Sequence, residues 1–127
     1  MVILGPESQR AAEASECAAE QGRFWDYHDR LFRSQAGENR GAFSDANLKR
    51  LAADLALDTA AFNACLDSGR TRAQVVADTE AGRQKGVRST PTIFVNDQKL
   101  EGVPRFDTVR QLVETLAAGA RTPAATP

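Results

Sequence analysis

Reactive sulfur in this 127-residue chain is limited to two cysteines, Cys17 and Cys65, far apart in sequence. Thiol–disulfide exchange needs an accessible thiolate of lowered pKa, usually at a helix N-terminus and close to a resolving thiol. A C-x-x-C pair would supply both, and the sequence contains none. Cys17 falls well inside one predicted helix. Cys65 falls near the C-terminal end of another, where the helix dipole disfavours a thiolate. Neither is placed to attack a substrate, so no catalytic residue is assigned. A second feature is the run from Gly86 through Ser89-Thr90-Pro91 into Thr92-Ile93-Phe94-Val95 and Asn96-Asp97. Proline cannot donate to a sheet ladder, so at a strand's first residue it is an edge device or a cis bond.

Other chemistries find less support. His28 is the only histidine, and no Cys, Asp or Glu set at ligand spacing joins it, so it reads as a structural residue and not a metal ligand. Asp26, Asp29, Asp54 and Asp58 are accounted for by helix faces and caps. No acid–base pair stands out, no Gly-rich loop is suited to phosphate, and no cofactor is implied. The aromatic cluster Phe24-Trp25-Asp26-Tyr27-His28 has helical spacing, which predicts packing into a core.

Helical punctuation dominates residues 7–86. Residues 7–21 are rich in Ala and Glu, with Ala11, Ala14 and Ala18 on one face and Gly22 as the stop. A second helix runs over 24–35, with Phe24, Tyr27, His28, Leu31, Phe32 and Gln35 recurring at helical spacing. Ser44 caps a third, with Leu48, Leu51 and Leu55 as its apolar stripe. Asp58 caps a fourth, clustering Leu57, Ala61, Phe62, Cys65 and Leu66, and Gly69 closes it. A fifth spans 71–85. After Gly86 the period changes: 92–95 reads as a strand, Asn96-Asp97 as a turn and 100–103 as its hairpin partner. A last helix over 106–116 carries Phe106, Val109, Val113 and Leu116 on one face. The tail, 122–127, has nothing to bury. Two strands make a marginal sheet that needs further strands or a cover.

Composition fits one globular domain, at 42% apolar and 26% charged residues. A net charge of −1, with acids and bases interleaved, argues against a nucleic-acid surface. No run approaches the roughly 20 apolar residues that a membrane span requires. Met1-Val2-Ile3-Leu4 lacks the pattern of a signal peptide.

The segments in order resemble the DsbA-like thiol:disulfide oxidoreductases of the thioredoxin superfamily. They are Gly5-Pro6-Glu7-Ser8-Gln9-Arg10, Glu16-Cys17-Ala18, Gly22-Arg23-Phe24-Trp25-Asp26-Tyr27-His28, Leu57-Asp58, Phe62-Asn63-Ala64-Cys65-Leu66, Gly86-Val87, Thr90-Pro91-Thr92 and Asn96. The resemblance implies an α/β, thioredoxin-like fold of DsbA type with a large helical insertion. In that family a strand, the C-x-x-C, its helix and a second strand precede the position of Gly5, so the expected fold is N-terminally truncated, dominated by helices, with an incomplete sheet. The implied layout is a single domain over 1–121: the insertion at 7–86, then the cis-Pro strand, hairpin and last helix at 87–118.

The same resemblance implies that Ser89, Thr90 and Pro91 form the loop that holds the cysteine segment of a polypeptide substrate. Ser89 departs from the family pattern, which often has Gly there. For Cys17 and Cys65 two states stand open: a structural disulfide, found in members with cysteines at both places, or two buried free thiols. The function implied is thiol–disulfide exchange on cysteine-containing polypeptides, with this chain inactive alone. The alternative is a non-catalytic helical interaction module, able to form a homodimer through its unfinished sheet edge. The family and a bridge favour an extracytoplasmic home, and the sequence itself leaves the compartment open.

Overall fold

A computed structural model describes residues 2 and 4–120. The expected tail at 122–127 lies outside the described residues. In chain order the elements are α1 (Pro6–Ala19), α2 (Phe24–Arg33), α3 (Asp45–Asp54), α4 (Thr59–Ser68), α5 (Arg72–Gln84), β1 (Thr92–Val95), β2 (Gln98–Glu101) and α6 (Phe106–Ala120). The chain divides into two compact units, Met1–Lys85 and Gly86–Pro127.

In the first unit α1 is the hub, touching each of the other four helices. Small residues make that possible, because Ala11, Ala14 and Ala18 are buried on the face that meets its neighbours. The core continues through Tyr27, Leu31, Leu48, Leu51, Leu57, Phe62 and Leu66, with Phe43 and Leu55 packed at its margin. Tyr27 and Phe62 meet with ring centroids 5.3 Å apart. The Tyr27 hydroxyl donates to the Leu48 carbonyl at 2.9 Å, and burial pushes its pKa up.

Caps set the helix ends. Asp58 accepts from the Ala61 amide at 3.0 Å, and Gly69 closes α4 in the left-handed conformation at φ 63°. Ser44 stands at the N-cap of α3 without a side-chain cap hydrogen bond. The N-terminus of α1 is capped from a distance. Asn39 donates to the Leu4 carbonyl at 2.7 Å and accepts from the Glu7 amide at 3.3 Å. Gly5 sits beneath it at φ 106°, where a Cβ would lie 2.8 Å from Asn39 Nδ2.

The second unit holds the hairpin and α6. β1 and β2 pair antiparallel, from Thr92 opposite Glu101 to Val95 opposite Gln98. The returning strand thus begins two residues earlier than expected. The two-residue connection Asn96-Asp97, with Asn96 at φ 51°, brings Gln98 directly opposite Val95. None of the described residues of this unit is fully buried. On α6, Val109 and Leu116 are half-buried, while Phe106 and Val113 are exposed.

Candidate functional site

Cys17 and Cys65 are joined in a disulfide that ties α1 to α4, with Cα atoms 5.8 Å apart. Both side chains are buried within helix packing, and Thr71 Oγ1 lies 4.0 Å from Cys17 Sγ. Thr71 in turn donates to the Glu13 carbonyl. A disulfide in this position is shielded from an attacking thiolate, because exchange requires in-line access to a sulfur.

Ser89, Thr90 and Pro91 lie in the other unit, at the entry to β1, and all three are exposed. The Thr90–Pro91 bond is cis. Neighbouring contacts hold the segment at both ends. The Gly102 amide donates to the Pro91 carbonyl at 2.9 Å, and Thr92 Oγ1 donates to the Ser89 carbonyl at 2.7 Å. Lys99 Nζ donates to the Gly86 carbonyl at 3.2 Å and pairs with Glu101 at 2.7 Å. The Lys99 hydrogen bond, aided by the charges of Lys99 and Arg88, keeps the Glu101 carboxyl below its ordinary pKa. β1 pairs with β2 and with no other strand among the described residues.

The aromatic cluster is core only in part: Tyr27 packs inward as expected, Phe24 and His28 are half-buried, and Trp25 is exposed. Only Tyr27 and Leu31 of α2 turn inward; Trp25 is 71% and Phe32 61% exposed. Helical spacing fixes which residues share a face, and here the neighbouring helices cover only the sector of Tyr27 and Leu31. The outer rings form a continuous surface. Ring centroids are 5.2 Å apart for Phe24–Trp25, 5.2 Å for Trp25–His28 and 4.6 Å for His28–Phe32. His28 bonds Asp29 at 3.1 Å through Nδ1.

The carboxylates named from sequence serve structure. Asp26 pairs with Arg23, Asp54 with Arg30 at 2.8 Å and Asp29 with Arg33 at 3.9 Å, while Asp58 is a cap. Among the described residues no group of three or more His, Cys, Asp and Glu is arranged to hold a metal.

The sequence model of the family described as Thioredoxin matches residues 2–115. The chain belongs to the Thioredoxin family. A Na(+)/H(+) antiporter NhaA 3 from Salinispora tropica is 36% identical over 116 residues, covering 91% of this chain and 17% of the relative. A Na(+)/H(+) antiporter NhaA from Herminiimonas arsenicoxydans is 37% identical over 117 residues, covering 92% and 18%. Disulfide bond formation protein D from Bacillus subtilis is 27% identical over 117 residues, covering 90% and 53%. The thioredoxin-family chain thus spans less than a fifth of these antiporters and about half of the Bacillus protein.

The crystal structure of a thioredoxin-like oxidoreductase from Silicibacter pomeroyi matches with a TM-score of 0.71 at 22% identity, over 91% of this chain and 64% of that one. The fold is therefore thioredoxin-like, rich in helices, with an incomplete, two-stranded sheet.

Sequence reasoning missed one buried charge. Glu13 has no exposed side-chain surface, and it is held by Gln9, Arg10 and Arg72. Arg10 also forks onto Asp45 at 2.7 and 2.8 Å, linking α1 to α3. The Arg10-to-Glu13 spacing was the available signal; the partner from α5 had none.

Proposed function

We propose that this chain is the substrate-facing part of a DsbA-type protein disulfide oxidoreductase, organised as one domain over 1–121. In this reading Ser89, Thr90 and Pro91 present exposed backbone to the cysteine segment of a polypeptide, which lies beside β1 in the manner of an added strand. Dithiol chemistry requires sulfurs that these 127 residues do not offer, so the chain by itself turns over no substrate. The observation that carries this is the fate of its two sulfurs: both are consumed in one buried bridge between helices. The segment shared with the antiporters is read as redox machinery and not as an ion path. No helix among the described residues is long and apolar enough to cross a membrane.

Two measurements test the reading. Insulin reduction by the chain alone should equal the uncatalysed rate, and turnover would contradict it. A cysteine-containing peptide should move the amide resonances of 89–92, and Thr90→Arg should abolish the effect by blocking the exposed loop. Unmoved resonances there would overturn the substrate-loop assignment.

A second reading is a non-catalytic interaction module that associates with itself. The exposed rings of α2 and the uncharged, half-paired β1 favour it. Sedimentation across a concentration series separates the two, since the first reading needs only a monomer.

A further inference from the structure

We propose that the ring face of α2 docks against the same face of a second copy, with the two helices antiparallel. The proposal rests on the second reading and assigns the surface that reading leaves open. Four rings linked by contacts through His28, namely Phe24, Trp25, His28 and Phe32, lie on one side of a ten-residue helix, with Trp25 and Phe32 exposed and the other two half-buried. An apolar patch of this size on a protein surface is often a functional one.

Area and charge both point to a second copy as the occupant. A fully exposed aromatic side chain offers about 150–250 Å², so the four partly exposed rings present roughly 400 Å² per copy. Two copies then bring roughly 800 Å² of ring surface together, the scale of a weak, transient pair. The outer flank of the rings carries one charge of each sign, Asp29 and Arg33. A two-fold axis across antiparallel helices sets Asp29 of each copy toward Arg33 of the other, so like charges do not meet. The chain's net charge of −1 leaves little long-range repulsion between copies.

Trp25 is the only tryptophan, so its emission reports on this surface directly. Sedimentation and Trp25 emission are followed together from about 10 µM to about 1 mM, a span suited to a weak pair. The expected result is a mass that doubles while the emission shifts to the blue in step. Phe32→Glu, at a position already exposed, should keep the helical circular dichroism and remain monomeric with constant emission. Arg33→Asp should weaken association about fivefold, and Asp29→Arg combined with it should restore the pair.

If Phe32→Glu dimerises like the parent while Ile93→Lys on β1 is monomeric, the module reading stands and the ring-face assignment falls. Failure of the charge exchange to restore association overturns the antiparallel geometry. A parent chain that stays monomeric throughout removes both this proposal and the second reading.

Discussion

Burying a carboxylate is tolerable where donors replace the lost water, and Glu13 recruits three side chains to do so. Burial pushes its pKa up, but the hydrogen bonds from Gln9, Arg10 and Arg72 outweigh burial and hold it below the ordinary value. Asp45 is held down in the same way, chiefly by Arg10. A carboxyl with a lowered pKa in the folded state binds its proton more weakly there than in the unfolded chain. Its stabilisation is therefore complete above about pH 4.5 and lost as pH falls through the folded value. Urea midpoints should be flat near neutrality and drop in acid, and Glu13→Gln should flatten the drop while lowering stability by about 2–3 kcal/mol at neutral pH. Changing Cys17 and Cys65 together to Ala opens a loop with a sequence separation of 48 and should lower stability by about 4 kcal/mol in the chain-entropy picture. Thiol labelling of the unfolded, unreduced protein should find none; two labelled thiols would contradict the bridge.

Among the elements, helix ends were the most legible in sequence, because Gly69 and Asp58 impose local geometry whatever surrounds them. The inward side of α2 was not legible. Aromatic spacing describes a face but carries no information about which neighbours exist to cover it. The hairpin was placed correctly at β1 and late at β2, since the tightness of Asn96-Asp97 decides the register. Asp58→Ala should cost about 1 kcal/mol through loss of the Ala61 bond, measured by chemical denaturation. Gly5→Ala should cost about 2 kcal/mol, because its backbone conformation suits glycine alone and the new Cβ displaces the Asn39 cap. An unchanged midpoint for Gly5→Ala would show that α1 does not need that cap.

At the scale of the molecule, buried apolar side chains lie in the first unit, from Ala11 to Val75, while none of the described residues after Gly86 is fully buried. Local opening follows burial. Amides of α1, α3 and α4 should therefore exchange with deuterium at least about tenfold more slowly than those of β1, β2 and α6. Equal protection would mean that the second unit is covered in solution. The family was readable from an ordered series of short segments, each weak alone, because spacing along a chain records topology. No catalytic sulfur was readable in the sequence, since neither Cys17 nor Cys65 has the setting of a nucleophile.

The cap on α1 also bears on how the chain finds its structure. Asn39 lies 35 positions from Leu4 and 32 from Glu7, yet it satisfies both at the start of the central helix. Glu7 reciprocates by accepting from the Gly41 and Phe43 amides. The cap on the first turn of α1 is therefore complete only when the segment that follows α2 is in place. The end of the central helix is thereby tied to the closure of a loop of more than thirty residues, so its stability depends on a contact distant in sequence.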